Sequence, residues 1–173
     1  MSIEAITIPY LHDNHTHTFF YGLLSECVSL ADVHEKSDAL RVLRGLQADL
    51  SVVTGWHSSR YSFTTEELES CPPLLICHLS LHAFAANAHG LERIAAIQPD
   101  IAAHFNDQDW IERHLPLIFE SIMSLFSFNM ATLTRFMDYL YTLGIYSADD
   151  MLAPNDAAID CAFSEAFTGR IGC

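Results

Sequence analysis

The sequence predicts an α/β fold in which three to four parallel strands alternate with helices and an additional helical segment is attached. Two observations carry this. Short apolar, β-rich runs recur at residues 3–11, 51–55, 74–79 and 145–147, each bounded by polar or turn residues. Between them lie stretches with apolar residues at helical spacing, and strands that alternate with helices build parallel βα units. A third observation sets the added segment: residues 107–143 read as helix throughout and stand outside the strand–helix alternation.

In residues 3–11, Ile3, Ile6, Ile8 and Leu11 lack a clean alternation, as in a strand covered on both faces. Thr18 to Gly22 reads as an aromatic loop, and residues 23–31 fit either a short helix or packed loop. Asp32 and Glu35 are spaced as a capping-box pair for a helix running to about Ala48, which buries Ala39, Leu40, Leu43 and Leu46. Ser51 to Gly55 is the second strand and residues 56–63 a loop. Thr64 or Thr65 caps a short helix through Glu66, Glu67 and Leu68, which Pro72-Pro73 ends. Leu74 to Leu79 is the third strand, and the alanine-rich stretch from Ala83 to Ile97 is helical. Trp110, Ile111, Leu115, Ile118, Phe119 and Ile122 keep helical spacing, with Pro116 as a kink or divider. A further helix spans 131–143, with Gly144 at its C′ position. Ile145 to Ser147 is a strand, and Pro154 or Asn155 opens a last helix through Phe167. The chain, 1–173, reads as a single domain with 107–143 as a helical insertion.

The net charge of −14, from 8 basic and 22 acidic residues, excludes nucleic acid and anionic membranes as expected partners, since both need basic patches. No apolar run reaches the roughly 18 residues of a membrane span. The N-terminus lacks the pattern of a signal peptide, so a cytoplasmic protein is expected. Cys27, Cys71, Cys77, Cys161 and Cys173 are odd in number and lack CxxC spacing, which fits reduced thiols.

The residues with the most chemistry lie in Tyr10-Leu11-His12-Asp13-Asn14-His15-Thr16-His17. His15 and His17 are two apart, and positions i and i+2 of a strand share a face. Imidazole binds metal while uncharged, so the pair is a candidate for two metal ligands. His12 and Asp13 are candidates to orient an imidazole. Zinc takes three or four protein ligands, so further donors are required. Asp149 and Asp150 lie near a late strand end, as ligands or as helix caps. His57 follows a strand and lines the same end of the fold. Cys77 and His78 read as core of the third strand, and His34, His89, His104 and His114 as surface or helix-face residues. No Gly-rich phosphate loop or nucleophile elbow is present.

With Asp13, His15 and His17 at the end of a first strand, the chain resembles the amidohydrolase superfamily, and most of all its YtcJ-like branch (amidohydrolase family 3). Gly55-Trp56 followed by a loop and the short helix at Thr65-Glu66-Glu67-Leu68 is similar to that branch. So are the apolar strand leading to His82 and Asn87, and the stretch from Leu143 to Asp150. The resemblance implies a TIM-like (β/α) barrel, here only its N-terminal part. It implies His15 and His17 as ligands of a divalent metal, zinc in the first instance, and His82 and Asn87 as contacts to a small amide-type substrate. In the family the site is completed by a carbamylated lysine or an acidic residue, two further histidines and an aspartate from later strands. Lys36, the only lysine, falls on the first long helix and does not match that lysine.

The function expected is therefore that of a metal-dependent amidohydrolase-like protein, hydrolysing C–N bonds with a metal-activated water, as an incomplete or inactive fragment. The catalytic base is not identified. The alternative is a non-catalytic remnant or interaction module, associating through its open barrel edge with a second copy or a complementing chain. A third reading is a histidine-rich metal-binding protein of other ancestry.

Overall fold

The computed structural model describes residues 11–126 and 130–150. The chain begins there with strand β1 (Leu11–Thr16), helix α1 (Thr18–Leu24), β2 (Val28–Ser29), α2 (Lys36–Arg44), β3 (Ser51–Trp56), α3 (Thr65–Glu69) and β4 (Leu74–His78). It continues with β5 (Phe84–Ala86), α4 (Ala88–Ile97), α5 (Pro99–Ala103), α6 (Gln108–Arg113), α7 (Leu115–Met123), α8 (Met130–Thr142) and β6 (Ile145–Asp150). These residues form two compact units, one of 27–126 and one of 11–26 with 130–150. The strands form two sheets, and neither closes into a barrel among the described residues. Among them no helix is long and apolar enough to cross a membrane.

In the unit of 27–126 the sheet order is β2-β3-β4-β5. The first three strands are parallel, and β5 runs antiparallel to β4, pairing Leu75 with Ala86 and Cys77 with Phe84. One face of the sheet packs Val53, Leu74 and Ile76 into a core with Leu30, Ala39 and Leu43. On the other face Leu75 joins Ile94, Ile101, Ile118 and Ile122 around a small apolar cavity. Both faces are covered, which is why β3 and β4 appear in the sequence as continuous apolar runs. Cys77 is fully buried, and burial, reinforced by Cys27, pushes its thiol up to about 12.

Several helix ends obey their sequence signals. Thr64 and Glu67 form a reciprocal capping box on α3, with both bonds made. The expected long helix after Asp107 breaks at His114 into α6 and α7, with Pro116 in the first turn of α7, where its missing N–H costs nothing. Asp107 caps α6 by accepting the Trp110 N–H at 3.0 Å. Other ends differ. The Asp32–Glu35 capping box does not form, because residues 30–33 make a turn in which the Val33 N–H bonds the Leu30 carbonyl. Helix α2 starts at Lys36, whose amine pairs with Glu67 at 2.8 Å, and ends against Gly45. Its buried face is still Ala39, Leu40 and Leu43.

Two stretches differ in kind from their sequence reading. Residues 84–86 are a strand, because the β4 edge offers them hydrogen-bond partners and Asn87 starts the helix only after them. Thr18 to Leu24 is helix rather than loop, with Thr18, Phe19, Phe20 and Leu24 buried.

In the unit of 11–26 and 130–150, β1 pairs with β6 in a parallel two-stranded sheet, with Leu11 opposite Ile145 and Thr16 opposite Asp150. Helix α1 packs on α8, where an added Cβ at Gly22 would lie 3.2 Å from Leu133 Cδ1. Gly144 follows α8 with φ of +81°, the left-handed conformation its position demands. The expected strand at 3–11 lies outside the described residues except for Leu11, and the expected helix from 154 lies wholly outside them.

Candidate functional site

The stretch with the most chemistry forms the strand itself. Asp13, Asn14 and His15 belong to β1, and His17 is the N-cap residue of α1 with φ of −126° and ψ of 52°. Parallel pairing brings the C-terminal end of β1 beside the C-terminal end of β6, so Asp149 and Asp150 arrive at the histidine stretch. Each carboxylate has a defined role there. Asp150 Oδ2 accepts the Phe19 N–H at 2.6 Å, a charge-assisted cap on the first turn of α1, where a negative charge also meets the helix dipole. Asp149 Oδ2 lies 3.2 Å from His12 Nε2, and His12 Nδ1 lies 2.6 Å from Ser147 Oγ. Both ring nitrogens of His12 are thereby engaged, and it orients no other imidazole from there. Asp13 is half-buried.

Among the described residues, no group of three or more His, Cys, Asp or Glu side chains converges to hold a metal ion. The donors among the described residues do not by themselves make up the ligand set that zinc requires.

A second polar cluster lies at the C-terminal ends of β3 and β4, in the unit of 27–126. The rings of His57 and His78 are 5.1 Å apart, and Trp56 meets His78 edge-on at 5.4 Å. The Ser59 N–H donates to His57 Nδ1 at 3.2 Å. The Ser80 N–H donates to His78 Nδ1 at 3.1 Å, with Ser80 Oγ at 2.8 Å. His78 Nε2 faces Ser58 Oγ at 3.4 Å. Burial first, and then the neighbouring His57, hold His78 below its ordinary 6.5. The contribution of that neutral ring to stability is complete above its unfolded value and declines as the pH falls below it. So His78, read from the sequence as core, stands half-exposed at the strand end.

His82 follows on the β4–β5 loop. Its Nδ1 lies 2.9 Å from Glu112 Oε2 on α6, and its side chain is 57% exposed. Gln108 Nε2 donates to Glu112 Oε1 at 3.2 Å and to the His82 carbonyl at 2.9 Å. The bond from His82 keeps the Glu112 carboxyl below the usual carboxylate range. Asn87, expected beside His82 as a substrate contact, is placed otherwise. It is 1% exposed and caps α4. Its Oδ1 accepts the N–H groups of Gly90 and Leu74, and its Nδ2 faces the carbonyls of Leu68, Cys71 and Pro72. No polar atom of Asn87 is left for a ligand. Sequence reasoning also passed over Ser58, Ser80, Gln108 and Glu112. Only Gln108 and Glu112 carried a signal, being four apart on one helix face, and nothing tied that face to His82.

The fold and these sites define an α/β protein whose polar side chains gather at the C-terminal ends of parallel strands. Two solved structures share the fold. One is an uncharacterized metal-dependent hydrolase from Pyrococcus horikoshii OT3, with a TM-score of 0.57 and 18% identity over 93% of this chain and 34% of that one. The other is an uncharacterized metal-dependent hydrolase from Pyrococcus furiosus, with a TM-score of 0.54 and 19% identity over 94% of this chain and 36% of that one. The chain thus spans about a third of the length of each. No protein-family model matches the chain. No curated protein matches it either.

Proposed function

We propose that this chain is part of a metal-dependent hydrolase of the amidohydrolase type, close to the YtcJ-like branch and acting on amide-type C–N bonds. In this reading its partial barrel presents His15 and His17 as two ligands of a divalent metal, zinc in the first instance. The observation that carries the reading is the strand-end placement of the stretch Asp13 to His17, on a parallel strand that ends beside a second one. The fold shared with two metal-dependent hydrolases supports it. His82 is the substrate contact of this proposal, and Asn87 is left out of it because its amide is consumed by backbone bonds. The remaining ligands and the catalytic base come from outside the described residues or from a second chain.

Equilibrium dialysis of the full chain against micromolar zinc tests this. The wild type is expected to retain about one more equivalent than the His15→Ala/His17→Ala variant. Equal zinc in both sinks the reading. A second reading, an interaction module, is favoured by the β1–β6 sheet. Among the described residues each of its strands is paired on one side only, and two-stranded sheets are marginal alone. Gel filtration with light scattering on the same preparation is expected to give a dimer or larger in that case, and a monomer excludes self-association.

A further inference from the structure

We infer that Glu112 and Gln108 are positioning residues that present His82, on the β4–β5 loop, as a proton acceptor, in the tautomer opposite to that held by His57 and His78. The partners of the three rings set their tautomers. A backbone N–H can only donate, so the bonds from Ser59 and Ser80 make Nδ1 of His57 and of His78 an acceptor. The neutral rings therefore carry their hydrogen on Nε2. An ionised carboxylate can only accept, so Glu112 places a hydrogen on His82 Nδ1. The neutral ring of His82 then keeps its lone pair on Nε2, which has no hydrogen-bond partner among the described residues. Three histidines of one strand-end region are thus held in two opposite tautomers, two as Nε2–H donors and one as an Nε2 acceptor.

The geometry is built rather than incidental in two further respects. Gln108 ties the dyad to the loop, bonding both the Glu112 carboxylate and the His82 main-chain carbonyl. Between His78 and His82, Leu81 is buried with φ of +60°, in the left-handed region that a bulky side chain rarely adopts. Such a conformation persists only where its surroundings over-determine it. Here the Leu81 N–H bonds the His78 carbonyl and the His78 N–H bonds the Ala83 carbonyl, both at 2.9 Å. That turn fixes the spacing along the chain between the donor His78 and the acceptor His82.

A neutral acceptor backed by a carboxylate suits a hydroxyl or water, whose proton His82 Nε2 takes up while Glu112 stabilises the imidazolium that results. The inference rests on the hydrolase reading for its substrate class alone. Its experiment reads the imidazoles directly, so it fails or stands apart from zinc binding.

Long-range proton–nitrogen NMR of the nitrogen-labelled full chain, above the titration range of histidine, is expected to find His82 in the Nδ1–H form and His57 and His78 in the Nε2–H form. Glu112→Ala should return His82 to Nε2–H, and Glu112→Gln, which keeps an acceptor oxygen, should retain Nδ1–H. Carbethoxylation followed by peptide mapping should modify His82 about tenfold faster than exposed His34, an advantage lost in both variants. An Nε2–H tautomer at His82 in the wild type, or a tautomer unmoved by Glu112→Ala, overturns the positioning role.

Discussion

Asn87→Ala is expected to lower the unfolding free energy by about 3–5 kcal/mol, measured as a drop in the urea midpoint. The side chain is 1% exposed and meets five backbone groups. Alanine strands the N–H groups of Gly90 and Leu74, along with carbonyls in the last turn of α3 and just after it that the amide had satisfied. Each buried polar group left without a partner costs about 1–3 kcal/mol, and loss of an N-cap costs about 1 kcal/mol more. Had Asn87 been a substrate contact at an open mouth, the same change would leave the unfolding curve almost unmoved. Asn87→Asp separates the two halves of the amide: it keeps the oxygen facing Gly90 and Leu74 and places an acceptor against three carbonyls. It should be worse than alanine at neutral pH and recover on acidification, when the new carboxyl protonates and can donate.

The second large effect is expected at Gly90→Ala, a loss of about 3 kcal/mol. In an ordinary helix this change stabilises, by about 0.5–1 kcal/mol. Here the added Cβ would lie 2.2 Å from the Leu74 carbonyl oxygen and 3.1 Å from Asn87 Oδ1. The obstruction is backbone, belonging to a strand paired on both sides, and it cannot swing away as a side chain would. Gly144→Ala is the control: nothing lies within 4 Å of its Cβ, so only the positive φ is charged against it, about 1 kcal/mol. Asn87 and Gly90 serve one junction between α4 and the start of β4. The double variant should therefore lose less than the sum of the two.

The legible parts of this chain were those decided by neighbours in sequence. Thr64 and Glu67 are three apart, and their capping box needs nothing from elsewhere. Ala39, Leu40 and Leu43 announce one helix face, and Gly144 and Pro116 act on their own backbone. The illegible parts depend on distant partners. Thr18 to Leu24 is rich in aromatics that favour helix weakly. It is helical with buried Phe19, Phe20 and Leu24, and with a cap, Asp150, that lies 131 residues away from Phe19. Phe84 to Ala86 has alanines that suit a helix, and the β4 edge overrides that preference. The same holds for the sites. The spacing of His15 and His17 is visible in the chain, whereas Glu112 stands 30 residues from His82 and becomes its partner only when α6 is in place.

The pairing of β1 with β6 has a consequence for the order of events in folding. Leu11 and Ile145 must meet across the whole intervening chain, whereas β3 and β4 are separated only by a short helix and its turns. Closing so long a loop adds little to its entropic cost, which grows only with the logarithm of length, but contacts this remote form slowly. During synthesis, residues 27–126 leave the ribosome as one continuous piece and can collapse at once. The histidine stretch, although translated first, waits for a partner strand translated more than a hundred residues later. A nascent chain therefore holds β3 and β4 well before β1 acquires the neighbour that fixes its register.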